Sequence, residues 1–178
     1  LNAYESEVLK EKLKNIDNLI VINTCAVTGE AERQCRQAIR KLRRENPSAK
    51  IVVTGCSAQI SSSKIAQMPE VDLILGNKEK KEIEKYVADF TGSSTSKKFV
   101  EDIQEDTACD DFMITGFEGR HKAFLQIQQG CNHRCTYCII PYARGSNRSV
   151  PLPLITQQIK KLLAQGFKEI CLTGVDIC

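Results

Sequence analysis

The chain of 178 residues lacks several features, and each absence narrows what it can be. No apolar run approaches the roughly 20 residues of a membrane-spanning helix, so no such helix is expected. The opening, Leu1-Asn-Ala-Tyr-Glu-Ser-Glu7, has no initiator Met and none of the marks of an export signal. Nine cysteines without an export signal argue against a disulfide framework. They point instead to a reducing cytosol, a cytoplasmic location and metal chemistry. Neither sign of charge dominates, with 25 basic and 22 acidic residues, and a net +3 is too small to establish a nucleic-acid partner. No internal repeat is visible, which sets aside a repeat architecture. Trp is absent, and that excludes nothing. What remains is ordinary for a soluble globular protein, with 42% hydrophobic and 26% charged residues. The length suits one domain or two small ones.

Residues 1–90 alternate between helix and strand patterns. Helices are expected over 4–14, 29–45, 58–67 and 78–90, the second closed by Asn46-Pro47. Strands are expected over 18–23, 50–54 and 71–75. Such alternation implies an α/β domain with a small parallel sheet and helices on its faces. Residues 91–118 break the pattern with a polar Thr91-Gly-Ser-Ser-Thr-Ser stretch and an acidic run, and read as a linker with a short strand near 98–100. A second pattern fills 119–178: a strand at 122–128, a helix at 152–165 and a strand at 169–173. This is the βαβ opening of a parallel (β/α) barrel, too short to close.

The segment Cys131-Asn-His-Arg-Cys135-Thr-Tyr-Cys138 puts three thiols within one loop. A cubane iron–sulfur cluster takes four thiolates, so three leave one iron open. An open coordination position marks a catalytic metal rather than a scaffold. The competing reading is a Cys3His zinc site using His133 or His121. A structural zinc site pairs two short ligand hooks, and no second hook follows.

This spacing, with Phe124-Leu-Gln-Ile-Gln-Gln-Gly130 before it and Ile139-Ile-Pro-Tyr-Ala-Arg-Gly145 after it, resembles the radical S-adenosylmethionine (SAM) enzymes. The resemblance implies that Cys131, Cys135 and Cys138 bind a 4Fe–4S cluster whose open iron takes the amino and carboxylate groups of SAM. Cleavage of SAM there yields a 5′-deoxyadenosyl radical. Tyr137 matches the family's aromatic position near the adenine. Thr173 and Gly174 match a segment whose backbone meets the methionine amino group, where a glycine permits close approach. Arg144 is placed to meet the SAM carboxylate, and Arg148 a substrate phosphate, since guanidinium suits both. Solvation of the loop is the alternative for both.

Cys25 follows strand 18–23 and Cys56 follows strand 50–54. Both sit at carboxyl ends of parallel strands, the edge where open α/β sheets bind ligands. Two buried structural cysteines would read the same way. The segments Leu1-Asn-Ala-Tyr-Glu-Ser6, Asn23-Thr-Cys25 and Thr54-Gly-Cys-Ser-Ala-Gln59 resemble the N-terminal domain of the methylthiotransferases. The resemblance implies that Cys25 and Cys56 hold an auxiliary 4Fe–4S cluster, with a third cysteine just before position 1. It also implies a fragment without most of the barrel or the C-terminal RNA-binding domain. The motif flanks look most like the branch that methylthiolates C2 of N6-threonylcarbamoyladenosine at position 37 of tRNA. Branches acting on isopentenyladenosine in tRNA, or on a ribosomal-protein aspartate, share the chemistry. The implied partners are that tRNA and a reducing electron donor, for a monomeric enzyme. A non-catalytic metal-binding module docking RNA is the reading from another class.

Helix 29–45 carries Arg33, Arg36, Arg40 and Arg44 at helical spacing, opposite a stripe of Ala31, Cys35, Ala38 and Leu42. These arginines are either a solvated face or an RNA-backbone footprint. Cys35 and Cys171 read as packed, while Cys109 and Cys178 have no evident role.

Overall fold

In the computed structural model, residues 1–90, 97–106, 113–117 and 119–177 are described. Helix α1 (Asn2–Lys12) leads to strand β1 (Leu19–Thr24), helix α2 (Gly29–Glu45) and strand β2 (Lys50–Gly55). Two short helices follow, α3 (Cys56–Ile60) and α4 (Ser62–Ala66), then strand β3 (Leu73–Leu75). A 3-10 turn (Glu79–Glu82) runs into helix α5 (Ile83–Phe90), followed by strand β4 (Lys97–Phe99). The second half contains β5 (Lys122–Gln126), β6 (Gln128–Gln129), α6 (Ile140–Arg144), β7 (Arg148–Ser149), α7 (Leu152–Ala164) and β8 (Glu169–Thr173). No helix among the described residues is long and apolar enough to cross a membrane.

The four strands β1-β2-β3-β4 form one parallel sheet in that order. The central strands carry apolar residues on both faces, as a sheet covered on both sides requires. Val52, Leu73 and Leu75 face Leu9, Leu13, Ile83, Val87 and Phe90 of α1 and α5. Ile51, Val53 and Ile74 face Ile39, Ala58 and Ile65 of α2, α3 and α4. Thr28 starts α2 by accepting a bond from the Ala31 amide at 3.1 Å, satisfying one of the helix's free N–H groups. Ile39, fully buried, is the anchor of that helix and belongs to the apolar stripe beside Cys35 and Leu42.

Strand β5, helix α7 and strand β8 form the expected βαβ unit, with Lys122 opposite Glu169 and Gln126 opposite Thr173. Its core gathers Ile114, Phe117, Ala123, Leu125 and Leu162, and Tyr4 of α1 packs into it. Helix α1 therefore carries apolar side chains into both domains.

Several boundaries differ from the expectations. The helix expected over 58–67 begins earlier, at Cys56, where β2 passes straight into α3, and it breaks at Ser61. The helix expected over 78–90 opens as the 3-10 turn. The strand expected over 122–128 breaks at Ile127, after which β6 leaves β8 and pairs antiparallel with β7. The stretch read as a linker carries the expected short strand as β4, parallel to β3, but it also joins the first sheet and buries Ile103, Ile114 and Phe117. Cys109 and Cys178 lie outside the described residues.

Truncating Ile39 to Ala should cost about 2–5 kcal/mol of stability, the range for emptying a closed core position. Urea denaturation checks this, and a loss below about 1 kcal/mol would place Ile39 outside the core.

Candidate functional site

The carboxyl ends of β1 and β2 lie in register, Thr24 opposite Gly55, so Cys25 and Cys56 emerge from neighbouring strands. The strands approach so closely that a Cβ on Gly55 would meet the Thr24 carbonyl oxygen at 2.5 Å, and its φ of +95° suits glycine. Thr24 ties the turn together. Its hydroxyl donates to the Thr54 carbonyl at 2.6 Å and accepts from the amides of Ser57 at 3.1 Å and Ala58 at 3.3 Å. Cys56 is buried and Cys25 half-buried.

Cys131 and Cys138 are half-buried and Cys135 is exposed; all three are free thiols. The loop is fastened at its base. The Cys131 amide donates to the Gly145 carbonyl at 3.1 Å, and Asn132 Oδ1 accepts from the Asn147 amide at 2.9 Å. Gly130, with φ +75°, lies against Ser146, whose carbonyl oxygen would be 1.9 Å from an added Cβ. Cys131 Sγ donates to Asp176 Oδ2 at 3.3 Å. The His133 amide favours the Cys131 thiolate, but burial and Asp176 outweigh it and hold the thiol above its ordinary value. Among the described residues, no three His, Cys, Asp or Glu side chains gather closely enough to hold a single metal ion. Three thiolates on three different irons of a cubane need no such convergence, and an all-thiol donor set fits that group. His133 turns to Asp176, with Nε2 3.6 Å from its carboxylate, rather than joining the cysteines as a zinc ligand.

A cavity of about 380 Å³ opens beside Cys25 and Cys56 and reaches Ile139 and Ile140, the residues that follow the cysteine loop, without being lined by Cys131, Cys135 or Cys138. Cys25, Cys56, Arg144, Thr173, Gly174 and Val175 are among its lining residues. The edge of the first sheet and the end of β8 thus face one space.

Arg144 and Arg148, expected to meet a cofactor carboxylate or a phosphate, are both buried and engaged. Arg144 donates to Glu5 Oε1 at 2.7 Å and Asn2 Oδ1 at 3.0 Å. Burial opposes its charge, but Glu5 and the neighbouring Cys56 raise its pKa further. Arg148 donates to the carbonyls of Asp106 at 2.8 Å and Arg144 at 3.2 Å and pairs with the Asp106 carboxylate. The charge of each is matched inside the protein, Arg144 by Glu5 and Arg148 by Asp106. Tyr137 is 91% exposed, next in the chain to Cys138. Thr173 Oγ1 donates to the Leu125 carbonyl at 3.2 Å.

On α2, Arg33 pairs with Glu30, Arg36 with Glu32 and Arg40 with Glu70, and Arg44 is exposed. Exposed pairs of this kind contribute little to stability. Burial pushes the Cys35 thiol up to about 11, as suits a packed cysteine.

Residues 1–76 match the model of the uncharacterized protein family UPF0004, and residues 125–177 match the Radical SAM superfamily. The chain is 46% identical over 181 residues to the threonylcarbamoyladenosine tRNA methylthiotransferase MtaB of Rickettsia prowazekii (strain Madrid E), covering 99% of the chain and 41% of the relative. It is 39% identical over 188 residues to the protein of the same name from Aquifex aeolicus (strain VF5), covering 99% and 46%. It is 32% identical over 199 residues to the tRNA-2-methylthio-N(6)-dimethylallyladenosine synthase of Desulfotalea psychrophila (strain LSv54 / DSM 12343), covering 99% and 43%. The chain thus carries both matches and is similar along nearly its whole length to proteins named as tRNA methylthiotransferases. It spans less than half the length of these relatives. Radical SAM methylthiotransferases use SAM and 4Fe–4S clusters, and the free thiols described above are in keeping with such a donor set.

Sequence reasoning missed Glu5, Asn77, Gln128 and Asp176. Glu5 is 5% exposed and is shared by Arg144, by Lys80 at 2.9 Å and by Asn23 at 3.1 Å. Asn77 donates to the Ala143 carbonyl at 2.6 Å and lies 3.9 Å from Cys56 Sγ. The one available signal was an amide, Gln128, interrupting an apolar strand pattern.

Burial opposes the charge of Glu5, but Lys80 and Arg144 outweigh it and hold the carboxyl far below the usual carboxylate range. Its contribution is therefore complete above that range and fades as pH falls below it. Glu5→Gln should cost about 3–5 kcal/mol near neutral pH, since it leaves two buried cations unmatched. Urea stability from about pH 7 to about pH 3 should fall less steeply in the variant than in the wild type. Parallel curves would show that Glu5 carries no such charge-dependent contribution.

Proposed function

We propose that the whole protein is a tRNA methylthiotransferase. It converts C2–H of N6-threonylcarbamoyladenosine at position 37 of tRNA into C2–S–CH3. The observation that carries this reading is the shared cavity, lined by Cys25 and Cys56 from one sheet and by Thr173 and Gly174 from the other. The names of the relatives favour the threonylcarbamoyl substrate: the two at 46% and 39% identity bear it, and the one at 32% bears the dimethylallyl substrate.

Cys131, Cys135 and Cys138 would hold the cluster that binds SAM, and Cys25 and Cys56 would contribute to an auxiliary cluster. When bound, these groups would supply radical hydrogen abstraction and sulfur, and a second SAM the methyl group, chemistry that no side chain here provides. The chain's own residues bind and orient. Asp176 meets the first cysteine of the loop. Tyr137 offers an exposed ring beside the loop for the adenine. Gly174 brings backbone to the cavity. Arg144 lines the cavity beside Cys25 and Cys56 while its charge is held by Glu5. Arg33, Arg36, Arg40 and Arg44 lie on one helix face available to the tRNA backbone. The setting is cytoplasmic, for a monomer with a reducing electron donor.

In the whole enzyme, Cys131→Ala, Cys135→Ala or Cys138→Ala should abolish SAM cleavage. Cys25→Ala or Cys56→Ala should spare cleavage and stop sulfur insertion. Mass spectrometry of digested tRNA checks the product, which should be 2-methylthio-N6-threonylcarbamoyladenosine. SAM cleavage that survives Cys135→Ala would sink the assignment. The isopentenyl nucleoside as the only product would keep the chemistry and overturn the substrate.

A further inference from the structure

Gln128 is 3% exposed, and its side-chain amide uses its full bonding capacity. Nε2 donates to the Gln129 carbonyl at 3.0 Å and the Gly130 carbonyl at 2.7 Å. Oε1 accepts from the amides of Val175 at 2.7 Å and Asp176 at 2.9 Å. One end of the amide thus grips the backbone leading into Cys131, and the other grips the turn that leaves β8. The circuit closes through Asp176, whose carboxylate accepts from Cys131 Sγ at 3.3 Å. Gly174 makes room for this arrangement. A Cβ there would lie 2.9 Å from Gln128 Oε1 and 2.6 Å from Ile177 Cγ1.

From this geometry we propose that Gln128 is a positioning residue for SAM binding. It holds the Gly174–Asp176 turn at a fixed distance from the cysteine loop. The proposal rests on the reading of this loop as a radical SAM site. The requirement is for an amide of this length. A carboxylate would set oxygen against two carbonyl oxygens, and an apolar side chain would leave two carbonyls and two N–H groups without their partner.

Two measurements on the whole protein test it. In cluster-free protein, alkylation of Cys131 is timed by mass spectrometry against the exposed Cys135. Gln128→Met should speed Cys131 about tenfold relative to Cys135, the scale of one lost buried hydrogen-bond partner. In protein loaded with iron and sulfide, Gln128→Met should keep the wild-type iron content. It should weaken SAM binding about tenfold and reduce the change that SAM makes in the electron paramagnetic resonance spectrum of the reduced cluster. Leu162→Ala, which empties a fully buried position of the same domain, controls for lost stability. It should leave the alkylation ratio and SAM affinity within about twofold of wild type, because the amide circuit stays intact. The inference is overturned if Gln128→Met keeps both quantities at wild-type values, or if Leu162→Ala moves them as far. A loaded wild-type protein with no response to SAM, but with Cys131 released by Gln128→Met, overturns the SAM reading and upholds Gln128 as the residue that sets the loop.

Discussion

One buried carboxylate holds the two halves of this molecule together. Glu5 sits on the first helix and meets Arg144 from the segment after the cysteine loop and Lys80 from the 3-10 turn that follows β3. Burying any one of these charges alone would be strongly unfavourable, and only their mutual contact makes the arrangement tolerable. That dependence makes the geometry specific: the guanidinium has one place to go. The apolar contacts of α1 act in the same direction, with Tyr4 in one core and Leu9 in the other. A second ion pair, Arg148 with Asp106, secures the segment that follows the cysteine loop.

The site follows from this docking. Parallel strands deliver Cys25 and Cys56 to one edge because each strand ends in the same direction. The βαβ unit delivers Gly174 to the end of its own sheet for the same reason. Neither delivery brings the two ends face to face. The Arg144 contacts do that, together with the Asn77 amide, which reaches from the first domain to the Ala143 carbonyl. The cavity is bounded by both domains, and its shape depends on the angle at which they meet.

Much of this was legible in order of residues. The cysteine loop, the alternation of elements, the span of α2 and the βαβ opening all rest on local periodicity and spacing, which a chain carries without its fold. Ile127, where β5 ends and β6 begins, could not be read that way, since the break arises from pairing with β7 some twenty residues on. Strand β4 was faint for a similar reason: three residues with two lysines become a strand only because β3 offers an open edge. Arg144 and Arg148 looked like ligand-binding arginines because their carboxylate partners lie far away in the sequence.

The sequence by itself determined the chemistry available: which thiols exist, at what spacing, and on which loops and strand ends. Those properties are local, set by neighbours along the chain. Only the tertiary structure decided which of the charged and polar residues serve a ligand and which serve the protein. It assigned Glu5, Arg144 and Arg148 to the interior, Tyr137 to the surface and Gln128 to the bridge between two loops. Burial and charge matching depend on what arrives from distant parts of the chain, and no spacing rule contains that information.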